Sequence, residues 1–220
     1  PRDLSPGDTL GCSGVGPHRM WASQYWHFEP PYTWLNSGGL GTMGFSIPAA
    51  ISHALACPDQ RVVALCGDGG FAMVIQELET AIRSGANITV CIMNNSNLQF
   101  IKDNQRLLFE SRFISTDFSE LDYSSIAVAF GCAGIRVEQS GDLEAALAEA
   151  LANELPTVVD VRVDGEVVPE RTSLQAPQAP QAPPAPPATS GPAYSGGTWI
   201  VDLMNGSRIS ACARRTSPSG

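Results

Sequence analysis

Two short apolar runs, Arg61–Cys66 (RVVALC) and Ile88–Met93 (ITVCIM), constrain this chain more than any other feature. Both are continuous and rich in β-branched residues, without the polar alternation of a half-exposed strand, so they read as parallel strands buried on both faces. Phe71–Ser84 lies between them as a helix, with Gly85 where a C-cap belongs. Thr157–Val163 (TVVDVRV) reads as a third strand and Gly134–Val137 as a fourth. Phe45–Ala56, Asp122–Phe130 and Leu143–Asn153 read as further helices, with Gly131 as a stop and Asp142 as an N-cap. Strands alternating with helices of this length specify an α/β protein: three layers, a parallel sheet with helices on both faces.

Ligands of such sheets bind beyond the carboxyl ends of the strands. There the first run enters Gly67-Asp68-Gly69-Gly70, and the second enters Asn94-Asn95-Ser96-Asn97. One crossover unit, residues 70–93, separates the two turns, so both emerge at one sheet edge. Gly67, Gly69 and Gly70 let a ligand approach backbone N–H groups ahead of a helix expected to open at Phe71, which suits phosphate. Asp68 in their midst repels phosphate unless a divalent cation bridges the two. Asp68, the Asn95 side-chain carbonyl and a backbone carbonyl near Asn97 are hard oxygen ligands suited to Mg2+, completed by diphosphate oxygens.

Charge agrees with that arrangement. Residues 1–170 hold nine Lys and Arg against twenty-one Asp and Glu, a net of −12, whereas residues 171–220 carry +3. The total of −9 argues against nucleic acid or an anionic membrane as partner. An acidic domain can still hold an anionic cofactor when a metal supplies the positive charge. The composition also breaks near 170. Gln175–Pro187 reads QAPQAPQAPPAPP, a Pro/Ala-rich linker spanning 171–192, and 193–220 reads as a disordered tail, with docking through Trp199 as the alternative. No apolar run approaches the roughly 20 residues of a membrane span, and Pro1–Pro6 does not read as a signal peptide. Six scattered Cys without a C-x-x-C suggest reduced thiols and a cytoplasmic protein.

Gly67-Asp68-Gly69 followed after twenty-four residues by Asn94-Asn95 resembles the diphosphate-binding motif of thiamine-diphosphate enzymes. Val15–Gln24 (VGPHRMWASQ), Trp34–Phe45 (WLNSGGLGTMGF) and Gln76–Ala81 (QELETA) resemble the C-terminal third of acetolactate synthases and their pyruvate-oxidase-like relatives. The likeness covers residues 8–170, and no counterpart of the tail is recognised. It implies the thiamine-diphosphate-binding fold and a 2-oxo acid decarboxylating lyase or transferase, most like acetolactate synthase, with pyruvate or a similar substrate.

The resemblance also implies residue roles. Asp68, Asn95 and the main-chain oxygen of Asn97 would hold Mg2+; Gly67, Gly69, Gly70 and His18 would surround the diphosphate. Gly41 and Met43 would cradle the aminopyrimidine, with Met43 beneath the thiazolium enforcing a bent cofactor. The family's catalytic glutamate belongs to a pyrimidine-binding domain of a neighbouring subunit, and no segment here resembles it. The expectation is half an active site in a homodimer or tetramer, with no catalytic residue of its own. Whether the longer protein also takes FAD is not written in these residues.

This chain departs from the pattern at three places. Pro17 stands where acetolactate synthases commonly have Gln; Gln99 and Asn104 lie where the family often has Gly and, later, an aromatic residue. Other readings stand beside the enzyme module: a non-catalytic cofactor-binding fragment, or a pyruvate oxidase- or decarboxylase-like member. Gly39-x-Gly41-x-x-Gly44 matches a dinucleotide fingerprint formally, but Tyr32–Ser37 reads as a poor strand to precede it. His53 reads as structural and His27 as uninformative; Trp21, Tyr25 and Trp26 read as core or interface.

Overall fold

In a computed structural model, residues 9–26 and 33–167 are described; the expectations for His27, for the 171–192 linker and for the 193–220 tail lie outside them. Six strands form one all-parallel sheet in the order β2-β1-β3-β4-β6-β5: β1 (Leu10–Ser13), β2 (Trp34–Asn36), β3 (Val62–Gly67), β4 (Thr89–Asn94), β5 (Ala133–Val137) and β6 (Thr157–Arg162). All four expected strands are present, within a residue of their expected starts. The helices are α1 (Pro17–Tyr25), α2 (Ser46–Ala56), α3 (Asp68–Ala72), α4 (Glu77–Ser84), α5 (Gln99–Leu108), α6 (Tyr123–Ala129) and α7 (Leu143–Ala152).

The absence of alternation in the strand sequences reflects a core on each face. Val62, Ala64, Cys66, Val90, Ile92 and Val158 pack with Ile47, Ala50 and Ile51 of α2, Leu78 and Ala81 of α4, and Ala127 of α6. Their neighbours Leu65, Cys91, Val159 and Val161 pack on the opposite face with Ala22 of α1 and Ala146 and Ala150 of α7. The period-2 pleat sorts consecutive apolar side chains to the two faces. Cys12, Cys66, Cys91 and Cys132 are buried free thiols, behaving as small apolar side chains.

Several expectations need correction. The helix expected over Phe71–Ser84 begins three residues earlier, at Asp68, and breaks after Ala72. Val74 N–H donates to Phe71 and Glu77 N–H to Val74, tight turns that interrupt the α pattern where the β-branched pair Val74-Ile75 weakens it. Trp34–Asn36 is a strand after all, on the sheet edge beside β1. Its support is a tertiary contact: a Cβ at Gly11 would run into the Trp34 ring, so only glycine lets that indole lie across β1. Gly85 closes α4 in the left-handed conformation (φ 67°), as expected. Asp142 precedes α7 but its side chain makes no capping bond; the capping carboxylate is Asp122, which accepts the Ser125 N–H at 3.0 Å ahead of α6.

The topology reverses at β1 and β3. After β1 the chain crosses to β2 on one side, and after β3 it crosses to β4 on the other. A crevice therefore opens above the carboxyl ends of β1 and β3, where an open α/β sheet takes its ligand.

Candidate cofactor site

That crevice is a cavity of about 510 Å3. His18, Gly41, Met43, Gly67, Asp68, Gly69, Gly70, Asn95 and Asn97 all border it, so every sequence-predicted site residue converges on one place. They arrive from the ends of β1, β2, β3 and β4. The turn after β6, Val163–Gly165, closes the rim, together with Val15, Trp21 and the first turn of α5.

Asp68 is the electrostatic centre. It is 2% exposed; its Oδ1 accepts the Gly69 N–H at 2.8 Å, and its Oδ2 is buried with no hydrogen-bond partner. Burial pushes its pKa above the usual carboxylate range, and the backbone N–H groups of Gly69, Ser96, Asn97 and Asn95 pull it partly back. A buried carboxylate oxygen left without a donor costs stability unless a cation meets it.

The opposing turn is shaped to supply further oxygens. Ser96 adopts φ 59°, Phe118 N–H donates to the Ser96 carbonyl at 2.7 Å, and Leu98 N–H to the Thr116 carbonyl at 2.8 Å. These bonds pin the turn against residues 116–118, and Lys102 holds Asp117 at 2.6 Å from α5. The Asn97 carbonyl accepts the Gln99 N–H at 3.0 Å and keeps its second lone pair; the Asn97 side-chain Oδ1 is buried without a partner. The two consecutive asparagines have separate work. Asn94 faces inward, donating to Asp160 Oδ1 at 2.9 Å and accepting from Arg162 at 3.0 Å; Asn95 borders the cavity.

His18 is 7% exposed, wedged where a Cβ at Gly16 would lie 2.9 Å from its ring and one at Gly67 3.4 Å. Burial, with the charge of Arg19, lowers its pKa to about 4, so the imidazole is neutral near pH 7. Its Nε2 is buried and unpartnered, a second polar atom awaiting a ligand. Gly69 is closely approached: a Cβ there would lie 2.8 Å from the Leu98 side chain and 3.1 Å from the Phe118 ring, and both would have to shift. Helix α3, which opens at Asp68, is only five residues long.

No cluster of three His, Cys, Asp or Glu side chains suited to a metal occurs among the described residues. The candidate donors are instead one carboxylate, one side-chain amide and one backbone carbonyl. This all-oxygen set fits a hard cation completed by ligand oxygens and fits zinc poorly. The parts missed in the sequence are Trp21, Gln99 and the turn after β6. That turn was within reach, since the strand-end rule applies to Thr157–Val163 as it does to the other runs.

The fold and the site together define an open parallel α/β domain with a cavity at its topological switch point. The chain belongs to the thiamine pyrophosphate enzymes, matching the family's C-terminal TPP-binding domain over residues 14–161. It is 41% identical over 176 residues to the acetolactate synthase large subunit of Corynebacterium glutamicum, covering 76% of this chain and 28% of that protein. It is 40% identical over 166 residues to the acetolactate synthase isozyme 3 large subunit of Escherichia coli, 74% of this chain and 29% of the relative. The mitochondrial catalytic subunit of Saccharomyces cerevisiae acetolactate synthase is 37% identical over 155 residues, 70% of this chain and 23% of the relative. The chain thus spans less than a third of the length of these relatives.

Proposed function

We propose that this chain is the cofactor-anchoring domain of a thiamine-diphosphate-dependent enzyme that decarboxylates a 2-oxo acid, acetolactate synthase-like, with pyruvate as substrate. The observation that carries the reading is Asp68 Oδ2, buried without a hydrogen-bond partner at the switch-point edge, in a cavity that Asn95 and Asn97 also line. Asp68, the Asn95 side chain and the Asn97 carbonyl hold Mg2+. Gly67, Gly69 and Gly70 bring backbone close to the diphosphate, and neutral His18 offers it a hydrogen bond rather than a charge. Gly41 and Met43, both on the cavity wall, would flank the aminopyrimidine, with the Met43 side chain packing against the cofactor. Bound thiamine diphosphate supplies the nucleophilic carbon and the electron sink for decarboxylation. The chain's part is to bind, orient and exclude water.

The glutamate that completes proton transfer on the aminopyrimidine comes from a pyrimidine-binding domain of a neighbouring subunit, in a homodimer or tetramer. Exposed Leu107, Leu108, Phe109 and Ile114 on α5 and the segment after it support a subunit contact near the site. No helix among the described residues is long and apolar enough to cross a membrane, and buried free thiols support a cytoplasmic setting. The second reading is cofactor binding by these residues without turnover. Calorimetric titration with thiamine diphosphate and MgCl2, beside a pyruvate assay, tests both. Mg2+-dependent binding that Asp68→Ala abolishes is expected; equal binding by the variant rejects the metal site. Pyruvate turnover by this chain alone rejects the missing-glutamate reading.

A further inference from the structure

We propose that Gln99 is a positioning residue that locks the Asn95 amide with its oxygen toward the cation position, an inference that rests on the metal site just proposed. The Gln99 side chain lies between two sets of partners. Its Nε2 donates to the Gly165 carbonyl at 2.7 Å and to Asp103 Oδ1 at 2.8 Å. Its Oε1 accepts from Asn95 Nδ2 at 2.6 Å.

A primary amide can flip, and the two orientations occupy the same space, so only the hydrogen-bond pattern selects one. Here the selection starts from groups that cannot reverse their roles. The Gly165 carbonyl and the Asp103 carboxylate are acceptors only, so the NH2 of Gln99 must face them and its Oε1 must face Asn95. That oxygen in turn admits only the NH2 of Asn95, which turns the Asn95 carbonyl to the remaining side, the cavity it borders. Flipping Gln99 would set its oxygen against two acceptors at once.

The anchor is itself held. Asp103 is 2% exposed and receives Arg106 at 3.3 Å, and Arg106 grips Glu166 with two bonds of 3.0 Å. Gly165 closes over the pair: a Cβ there would lie 2.7 Å from Gln99 Oε1 and 2.9 Å from Asn95 Nδ2. A second partner that orients a metal ligand in this way affects affinity about ten- to a hundredfold.

The test is a double-mutant cycle on Mg2+ affinity, measured by titrating MgCl2 into the full chain with thiamine diphosphate saturating. Gln99→Met removes both amide roles at similar length and is expected to weaken Mg2+ binding about tenfold or more. In an Asn95→Asp background the carboxylate presents an oxygen in either flip, so Gln99→Met is expected to change affinity less than about twofold. An equal loss in both backgrounds means that Gln99 serves only the fold, and overturns the proposal. Absence of Mg2+-dependent binding by the unaltered chain overturns the metal site itself, and this inference with it. Should Gln99→Met fail to fold, the Asn95 side-chain amide of the unaltered chain is read by NMR, assigned through Asn95→Asp. Slow exchange with water supports the lock, and solvent-averaged amide protons overturn it.

Discussion

Asn94 Nδ2 donates to Asp160 Oδ1 at 2.9 Å, tying β4 to β6 directly beneath the turn that carries Asn95 and Asn97. Asp160 is fully buried, and its Oδ2 accepts the Tyr123 N–H at 2.9 Å at the start of α6. Burial raises its pKa, with Asn94 and the Tyr123 amide opposing the rise. One carboxylate thus joins two strands and a helix. Asn94→Ala leaves it short of a donor and is expected to cost about 2–3 kcal/mol of unfolding free energy, read by urea denaturation. Loss of under half a kcal/mol, on the order of a surface change, would show that the tie is replaceable.

Asp68 carries the opposite balance, since its buried Oδ2 has no hydrogen-bond partner in the free protein. Asp68→Asn keeps an acceptor for the Gly69 N–H and removes the buried charge. In EDTA without cofactor, the variant is expected to be more stable by about 1 kcal/mol, while Mg2+-dependent cofactor binding falls by at least about tenfold. A variant less stable than the original would show that the carboxylate stabilises the free fold.

The depressed pKa of His18 fixes the sign of a pH effect. The folded imidazole resists protonation down to about pH 4, whereas the unfolded one takes a proton near 6.5. Stability from this group is full above about pH 6.5 and is lost as pH falls toward 4. The expected loss is about 1 kcal/mol by pH 5.5 relative to pH 7.5. Thermal unfolding of the metal-free chain should show it, and His18→Gln should flatten the profile over that interval. Identical profiles would place a charged imidazole in the folded state.

Gly134 on β5 lies directly against the Ser124 carbonyl of α6, where an added Cβ would collide with backbone. Backbone cannot rotate aside as a side chain can. Gly134→Ala is expected to destabilise by about 3 kcal/mol or more, with cofactor affinity of the folded fraction unchanged. Denaturation and titration on one sample separate the two effects. Unchanged stability would show that α6 can move off the sheet.

Legibility from sequence followed where the causes were local. The strands at 61–66 and 88–93 could be read because double-sided burial writes itself as an uninterrupted β-branched run. The turns at Asp68 and Asn95 could be read because their residues are chemically out of place after such runs. Helix α5 could not be read this way. Phe100, Ile101, Leu107 and Leu108 do recur at helical spacing, but the structure leaves that apolar stripe exposed instead of packing it on the sheet. Edge strand β2 is three residues long and owes its place to the packing of Trp34 across Gly11, a contact between distant positions.

By itself, then, the sequence determined the parallel α/β plan, the family and the set of residues that gather at one sheet edge. Those follow from periodicity, from turn chemistry and from motifs only a few residues long. The resemblance already placed Asn95 at the site; tertiary structure alone decided that Asn94 ties the strands and what holds the Asn95 side chain. Asn94 meets Asp160 and Arg162 across β6, while Asn95 meets Gln99 beneath Gly165. The pleat turns adjacent residues to opposite sides: the partners of Asn94 come from β6, more than sixty residues away, whereas Gln99, four residues from Asn95, is itself held by Gly165 from just beyond β6.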